Sequence, residues 1–231
     1  KYPLMVVDIL SVALLCVGFV LIKSGYNSDR KRPDAALKSE KVIGIKNMIE
    51  KGALAPSLVS SLLTLTICGV LSYIMLFGKE IGIESIWLYY TGYGAAALIS
   101  RPFTGKIFDK VGHKALIIPG AVSMIIGLVV LSYTKSAAGL IISSLFYGLG
   151  YGTTQPSMQA WTINRAHPDR KGAASGTFTA ALDLGYVIGS LVLGMIAEKC
   201  SYAEMYRAAA MFMVLFIAGY LYIMFKEKSC R

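Results

Sequence analysis

The stretch Arg101-Pro-Phe-Thr-Gly-Lys-Ile-Phe-Asp-Lys-Val-Gly-His-Lys114 separates two long apolar runs, residues 86–100 and 115–133. It holds four Lys or Arg residues, one Asp and two Gly. Because such dense charge is costly in a hydrocarbon core, the stretch is predicted to turn in water or among lipid headgroups. Gly105 and Gly112 are expected to allow a tight bend with positive φ. The sequence therefore predicts a short cationic hairpin between two membrane-spanning helices.

The composition indicates a membrane protein. The 231 residues are 55% hydrophobic and only 16% charged, whereas a soluble domain carries about 25% charge. Crossing a hydrocarbon core of about 30 Å takes about 20 apolar residues in a helix. Seven runs are predicted to cross: residues 3–22, 54–77, 86–100, 115–133, 137–162, 173–196 and 208–225. We therefore expect an all-α membrane protein with seven transmembrane helices.

The net charge of +10 raises the question of a nucleic-acid partner, and the position of the charges argues against one. If the seven runs span, the segments between them alternate sides. All but five of the 23 Lys and Arg residues fall on one side, in residues 23–53, 101–114, 163–172 and 226–231. The positive-inside rule places that side, with the long linker and the C-terminus, in the cytoplasm. The basic excess then reflects membrane topology.

The residues do not form a recognisable enzyme site. No Ser/His/Asp or Cys/His set, carboxylate pair or phosphate-binding loop can be assembled. The four cysteines are scattered, and His113 and His167 fall in predicted loops without a nearby metal-ligand partner. We expect no cofactor, no metal and no enzymatic activity.

Three regions follow from the spans. Residues 1–22 form one span without an initiator Met or a signal peptide, which suggests a fragment. Residues 23–53 form a polar linker in which 35–51 have amphipathic helical spacing, typical of a membrane-surface helix; calmodulin-like recruitment is the alternative. Residues 54–231 contain six spans, two sets of three that start from opposite sides, as in inverted-repeat transporters.

The hairpin also carries a family resemblance. Gly105-x-x-x-Asp109-x-x-Gly112-x-Lys114, preceded by Arg101-Pro, resembles the cytoplasmic loop signature of the major facilitator superfamily of transporters. The resemblance implies that residues 1–22 match the last helix of a missing N-terminal half. Residues 54–231 would then be the complete second half of a twelve-helix fold. Arg170-Lys-Gly172 and Asp183-x-Gly185 resemble the drug:proton antiporter and small-molecule efflux branch.

The loop signature suggests a conformational latch formed by Arg101, Gly105, Asp109, Gly112 and Lys114. The resemblance implies that Asp109 faces the amino end of the 173–196 span, whose free N–H groups and dipole attract an anion. Arg101 would brace this contact, and conformational switching would break it. The alternative is a solvated loop carboxylate among Lys residues.

Asp183 is the deepest predicted charge. At about 1.5 Å per residue it lies roughly 15 Å into its span, close to the midplane. A carboxyl group there is a candidate for proton coupling or for contact with a cationic substrate. The alternative is a structural Asp that is hydrogen-bonded to neighbouring helices.

Candidate substrate contacts follow one stripe of the 137–162 span. Tyr147, Tyr151, Thr154 and Gln155 share a helical face, and the resemblance implies that this helix and the 54–77 span line the central cavity. Ser60, Thr64 and Tyr73 of the latter are therefore included. Aromatic and amide groups suit a moderately lipophilic, cationic small molecule. Helix packing is the alternative role.

These observations together predict a secondary active transporter of small molecules, with proton-coupled efflux by alternating access across the plasma membrane. Its expected partners are the substrate, protons, the lipid bilayer and the missing half of the same chain. Two alternatives remain open: a nutrient, sugar or metabolite permease of the same fold, and a non-transporting membrane scaffold or receptor.

Overall fold

The computed structural model describes residues 50–229, with side chains described as far as residue 226. The regular elements of this part are all helical, which confirms the all-α prediction. They are α1 (Lys51–Glu80), α2 (Trp87–Val111), α3 (Lys114–Tyr133), α4 (Ala137–Asn164), a 3₁₀ helix (Pro168–Arg170), α5 (Lys171–Lys199) and α6 (Tyr202–Ser229). The predicted span at residues 3–22 and most of the predicted linker helix lie outside the described residues.

The cationic stretch is a helix for most of its length, so the hairpin prediction is wrong there. α2 continues through Val111, and the chain turns only at Gly112 and His113. Gly112 has φ of +86° and makes the predicted bend, whereas Gly105 is an ordinary helical residue. A helix bonds its own peptide groups, and long Lys and Arg side chains can reach towards the headgroups, so charge did not require the helix to end.

The helices run beyond the predicted apolar runs, and the remaining links are short. Within residues 50–229, four segments are long and apolar enough to cross a membrane: α1, α3, α5 with its preceding 3₁₀ turn, and α6. α2 and α4 are of similar length but contain more polar and small residues. The glycines and Gln155-Pro156 of α4 do not interrupt its helix. The count of seven spans stays a prediction.

Close contacts at glycines show how the helices are oriented. α1 and α5 run parallel, with Gly185 against Ser61 and Gly189 against Leu65. α2 and α4 also run parallel, with Gly148 against Ala96. α3 and α4 are antiparallel, as are α1 and α6. The two halves of the bundle repeat this pattern. If α1, α2 and α3 are exchanged with α4, α5 and α6, the α1–α5 pair becomes the α4–α2 pair, and the α3–α4 pair becomes the α6–α1 pair. This is the arrangement expected for two inverted three-helix repeats.

The alternating directions separate the charges between two ends of the bundle. One end holds the start of α1, the α2–α3 turn, the α4–α5 link and the end of α6, and we call it the basic end. Its Lys and Arg residues include Lys51, Lys106, Lys110, Lys114, Arg165, Arg170, Lys171, Lys226 and Lys228. The opposite end carries Lys79, Lys135, Lys199 and Arg207. The charge asymmetry predicted from the sequence is therefore present in the folded bundle.

Candidate functional site

A polar cavity opens between α2 and α4 towards the basic end. Its volume of about 620 Å³ is in the range of small-molecule sites. The lining combines one cation, one carboxylate and several side-chain amides and hydroxyls; it consists of Arg101, Thr104, Gly105, Phe108, Asp109, Gln155, Pro156, Ser157, Gln159, Ala160 and Asn164. This lining is unlike the apolar surface that a helix presents to lipid.

The cavity brings together residues from two predicted groups. Arg101, Gly105 and Asp109 come from the proposed latch, and Gln155 comes from the predicted substrate stripe. Tyr151, one turn from Gln155, is close enough to interact electrostatically with Arg101. Gly112 and Lys114 lie instead at the α2–α3 turn, where Lys114 borders a smaller cavity of about 190 Å³ beside α6.

The other members of the α4 stripe are used in helix packing. The Tyr147 side chain is fully buried, and its hydroxyl lies 3.2 Å from Thr66 Oγ1 on α1. Thr154 is also fully buried and packs against Gly120 of α3. Parallel packing of α2 on α4 and antiparallel packing of α3 on α4 leave only part of the stripe open to the cavity.

The three candidates on α1 form hydrogen bonds to backbone carbonyls. Ser60 Oγ donates to Pro56 O at 2.8 Å, within α1. Thr64 Oγ1 donates to Leu182 O at 2.7 Å, and the Tyr73 hydroxyl donates to Ser190 O at 2.8 Å. Thr64 and Tyr73 therefore tie α1 to α5 in this conformation.

Asp183 is exposed on the face of α5 that points away from α1. The exposed Leu184 and Val187 lie nearby on the same helix. Within residues 50–229 the Asp183 carboxylate makes no hydrogen bond or ion pair, so the structural bonds considered as its alternative role are not formed there. A carboxylate at this depth is costly against lipid, which makes this face a candidate for contact with protein or water.

The predicted contact between Asp109 and the amino end of α5 is not formed in the described part of the chain, because α2 and α5 do not touch there. The amino end of α5 packs on α1 instead. Arg170 Nε lies 2.9 Å from Glu50 Oε2, and the Glu50 N–H donates to Thr177 Oγ1 at 3.2 Å. The latch, a contact that conformational switching would break, remains a prediction.

A histidine-centred cluster at the basic end was missed by the sequence reasoning. His113 Nδ1 lies 2.7 Å from the Tyr220 hydroxyl of α6, and the His113 ring stacks on Trp161 of α4 at 4.9 Å between centroids. The Arg165 guanidinium lies 5.1 Å from the Trp161 ring centre. Partial burial, together with the positive charges of Lys114 and Arg165, lowers the pKa of His113. No local sequence signal links residues so far apart.

Comparison with known proteins gives consistent results. The model of the Major Facilitator Superfamily matches residues 4–190 and, in a second alignment, 54–229. An uncharacterized MFS-type transporter, MJ1560 of Methanocaldococcus jannaschii, is 30% identical over 128 residues, which are 55% of this chain and 33% of that protein. The quinolone resistance protein NorA of Staphylococcus aureus is 22% identical over 162 residues, covering 69% of this chain and 42% of that protein.

Solved structures show the same fold. A crystal structure of a peptide transporter POT in complex with sulfate superposes with a TM-score of 0.63 at 22% identity, covering 74% of this chain and 37% of that one. A POT family transporter in complex with 5-aminolevulinic acid gives a TM-score of 0.64 at 24% identity, covering 74% of this chain and 38% of that one.

The chain thus spans about a third to two fifths of the length of the relatives named here. It is a multi-pass membrane protein by its apolar helices and by its family. The family model covers most of its residues, and the helical bundle agrees with solved transporters of this fold. This chain belongs to the Major Facilitator Superfamily of membrane transporters.

Proposed function

We propose that this chain supplies the second half of a proton-coupled secondary transporter, which exports small molecules from the cell by alternating access. The basic end would face the cytoplasm of a plasma-membrane protein, in line with the positive-inside rule. The observation that carries the proposal is the polar cavity between α2 and α4, whose lining includes both Arg101 and Gln155. The distant similarity to the quinolone resistance protein NorA supports efflux as the direction.

The inverted repeats provide a physical basis for alternating access. In such folds the substrate lies near the midplane, and the two halves rock around it. The cavity opens at the basic end of α2 and α4, so a missing half packed against this face would complete its walls. A cavity completed by a second half can open to one side of the membrane at a time.

Asp183 is the proposed proton carrier. Its carboxylate lies on the outward face of α5 without a hydrogen bond or ion pair among residues 50–229. Such a group can take up a proton in one conformation and release it in another when its surroundings change from dry to wet. Exchange of that proton for substrate would couple export to the proton gradient.

The test uses the complete transporter in everted membrane vesicles. A panel of dyes and drugs is supplied with an imposed proton gradient, and both substrate uptake and proton release are recorded. We expect gradient-driven uptake that a protonophore abolishes. Asp183→Asn should bind substrate but lose proton exchange, whereas Glu198→Gln, which removes an exposed carboxylate near the end of the same helix, should retain it.

Two results would count against the proposal. Proton-coupled turnover that survives in Asp183→Asn would remove the coupling role of this residue. A complete protein that moves no member of the panel along the gradient would favour the permease or scaffold alternatives. Labelling of Lys110 and Lys79 in intact cells provides the topology check, because only Lys79 should react with an impermeant reagent.

A further inference from the structure

Arg101 lies well inside α2, because this helix continues through the charged stretch. It stands ten residues before Val111, or about 15 Å from the basic end of α2. α3 begins just after the turn and is 20 residues long, which corresponds to the full hydrocarbon thickness of about 30 Å. Trp87, at the other end of α2, is about 21 Å away, so Arg101 lies near the middle of this helix.

The side chain of Arg101 points into the polar cavity. It lines the cavity with Gln155 of α4. One turn before Gln155, the Tyr151 ring lies 6.2 Å from that of Tyr93 on α2, centroid to centroid. A guanidinium facing lipid at this depth would be strongly unfavourable, so intramembrane Arg residues face protein or water. The polar lining identifies the α2–α4 cavity as that environment.

The described residues do not supply a counter-ion for Arg101. Asp109, the one carboxylate of the cavity lining, is eight residues further along α2, about 12 Å away along the helix axis. Asp183 is on α5, which does not contact α2. Within residues 50–229 the structure contains no ion pair that includes Arg101. A guanidinium that lines a polar cavity without a paired anion favours an anionic ligand.

We infer that Arg101 binds the carboxylate of the transported molecule, so that the substrates of this transporter are small organic acids or zwitterions with an apolar or aromatic body. The inference rests on the proposed function, because it assigns a substrate class to the same cavity. The planar guanidinium donates two parallel hydrogen bonds to one carboxylate. Gln155 and Gln159 add neutral hydrogen-bonding groups, and the Phe108 ring offers a surface for the apolar part of the ligand.

This inference differs from the cationic substrate expected from the sequence. A fixed positive charge in the wall of the cavity repels a cation and attracts an anion. Aromatic rings alone would favour a cation, but a full charge at close range outweighs the ring quadrupole. The ligand's charge is therefore the property to vary.

The experiment measures binding to the complete transporter in phosphatidylcholine nanodiscs, which contain no anionic headgroup. Thermal unfolding is recorded with matched pairs of acids and primary amides, from butyrate and butyramide to 2-naphthoate and 2-naphthamide. We expect at least one acid to raise the unfolding temperature while its amide does not. Nanodiscs with added phosphatidylglycerol separate a solute from a lipid headgroup, since competition by this lipid would show that headgroups occupy the site.

Three variants attribute the effect to Arg101. Arg101→Gln should weaken binding of the acid at least tenfold, and Arg101→Lys should weaken it less because it retains the charge but loses the two-bond geometry. Lys106→Gln, the same charge change in an exposed residue of α2 outside the cavity lining, should leave binding unchanged. Arg101→Lys keeps the test decisive if Arg101→Gln does not fold.

The outcomes separate this inference from the proposed function. The inference about Arg101 is overturned if no acid stabilises the protein more than its amide, or if Arg101→Gln binds the acid as well as wild type does. It is also overturned if Lys106→Gln weakens binding as much as Arg101→Gln. A protein that binds acids through Arg101 but moves no solute along a proton gradient would contradict the proposed function alone. Gradient-driven transport without any Arg101-dependent preference for acids would contradict the inference alone.

Discussion

The parallel packing of α1 on α5 depends on the glycine at position 189, which has no side chain. A Cβ atom placed there would lie 2.7 Å from both the Cα and the O atom of Leu65. Carbon atoms pack best at about 3.5–4.0 Å, and the obstructing atoms belong to the backbone of α1, which cannot rotate away. Gly189→Ala would therefore force the two helices apart by about 1 Å along their contact.

The expected magnitude follows from two opposing contributions. Overpacking of this kind costs about 1–3 kcal/mol, whereas replacing Gly by Ala within a helix contributes about 0.5–1 kcal/mol of stabilisation. We expect Gly189→Ala to lower the free energy of unfolding by about 0.5–2 kcal/mol, the difference of these contributions. Gly176→Ala is the matched control, because a Cβ at Gly176 of the same helix meets no atom within 4 Å. It should be neutral or slightly stabilising.

The assay is reversible unfolding of the complete transporter in mixed detergent micelles, followed by tryptophan fluorescence. Each variant is compared with wild type under identical micelle composition. If Gly189→Ala proved as stable as Gly176→Ala, the close approach of α1 and α5 would be refuted, and with it the helix pairing on which the repeat symmetry depends.

Three further predictions concern buried contacts. Tyr147→Phe should lower the free energy of unfolding by about 0.5–1.5 kcal/mol, because the hydrogen bond to Thr66 is lost, but it should leave the KM for substrate unchanged. Tyr151→Phe, near the cavity, should change the KM. The reverse pattern in transport assays would place Tyr147 in the substrate site. Because the pKa of His113 is lowered in the fold, the unfolded chain takes up a proton first as the pH falls, so the free energy of unfolding should decline as the pH falls below about 7. His113→Gln should reduce the pH dependence of the free energy of unfolding, whereas His167→Gln, at an exposed position, should not. An equal pH dependence in wild type and both variants would contradict this role of His113. The side chains of Glu50 and Arg170 are 14% and 42% exposed. A double-mutant cycle of Glu50→Gln and Arg170→Gln should give a coupling energy of about 1 kcal/mol between them. A coupling energy indistinguishable from zero would mean that solvent screens the pair.

The sequence was informative where a local property decides the structure. Apolar runs predict membrane helices because a helix bonds its own peptide groups in lipid. Gly112 was assigned a positive φ because a turn was needed there, and the structure has it. Gly105 was assigned the same role and is helical, because nothing in the charged stretch compels the helix to end.

The candidate site was less predictable from the sequence, because helices in a membrane protein are apolar on more than one face. Lipid-facing and buried helix faces are both apolar, so hydrophobic periodicity does not show which way a side chain points. Exposed Leu98 and Ile99 flank the same helix turns as buried Ala96 and Ser100. The stripe on α4 was recognised as a face, but its division between packing and cavity depends on where α2 and α3 lie.

The amino-acid sequence by itself determined the membrane class, the helix-rich fold and the charge asymmetry between the two ends, because these depend on hydrophobic length and on the position of basic residues along the chain. The tertiary structure alone decided that Arg101 lines a cavity, that Tyr147 and Thr154 pack between helices, and that His113 meets Trp161 and Tyr220. Those contacts depend on the rotation and pairing of helices distant in the chain, which are set by close packing at small residues and leave no local periodic signal.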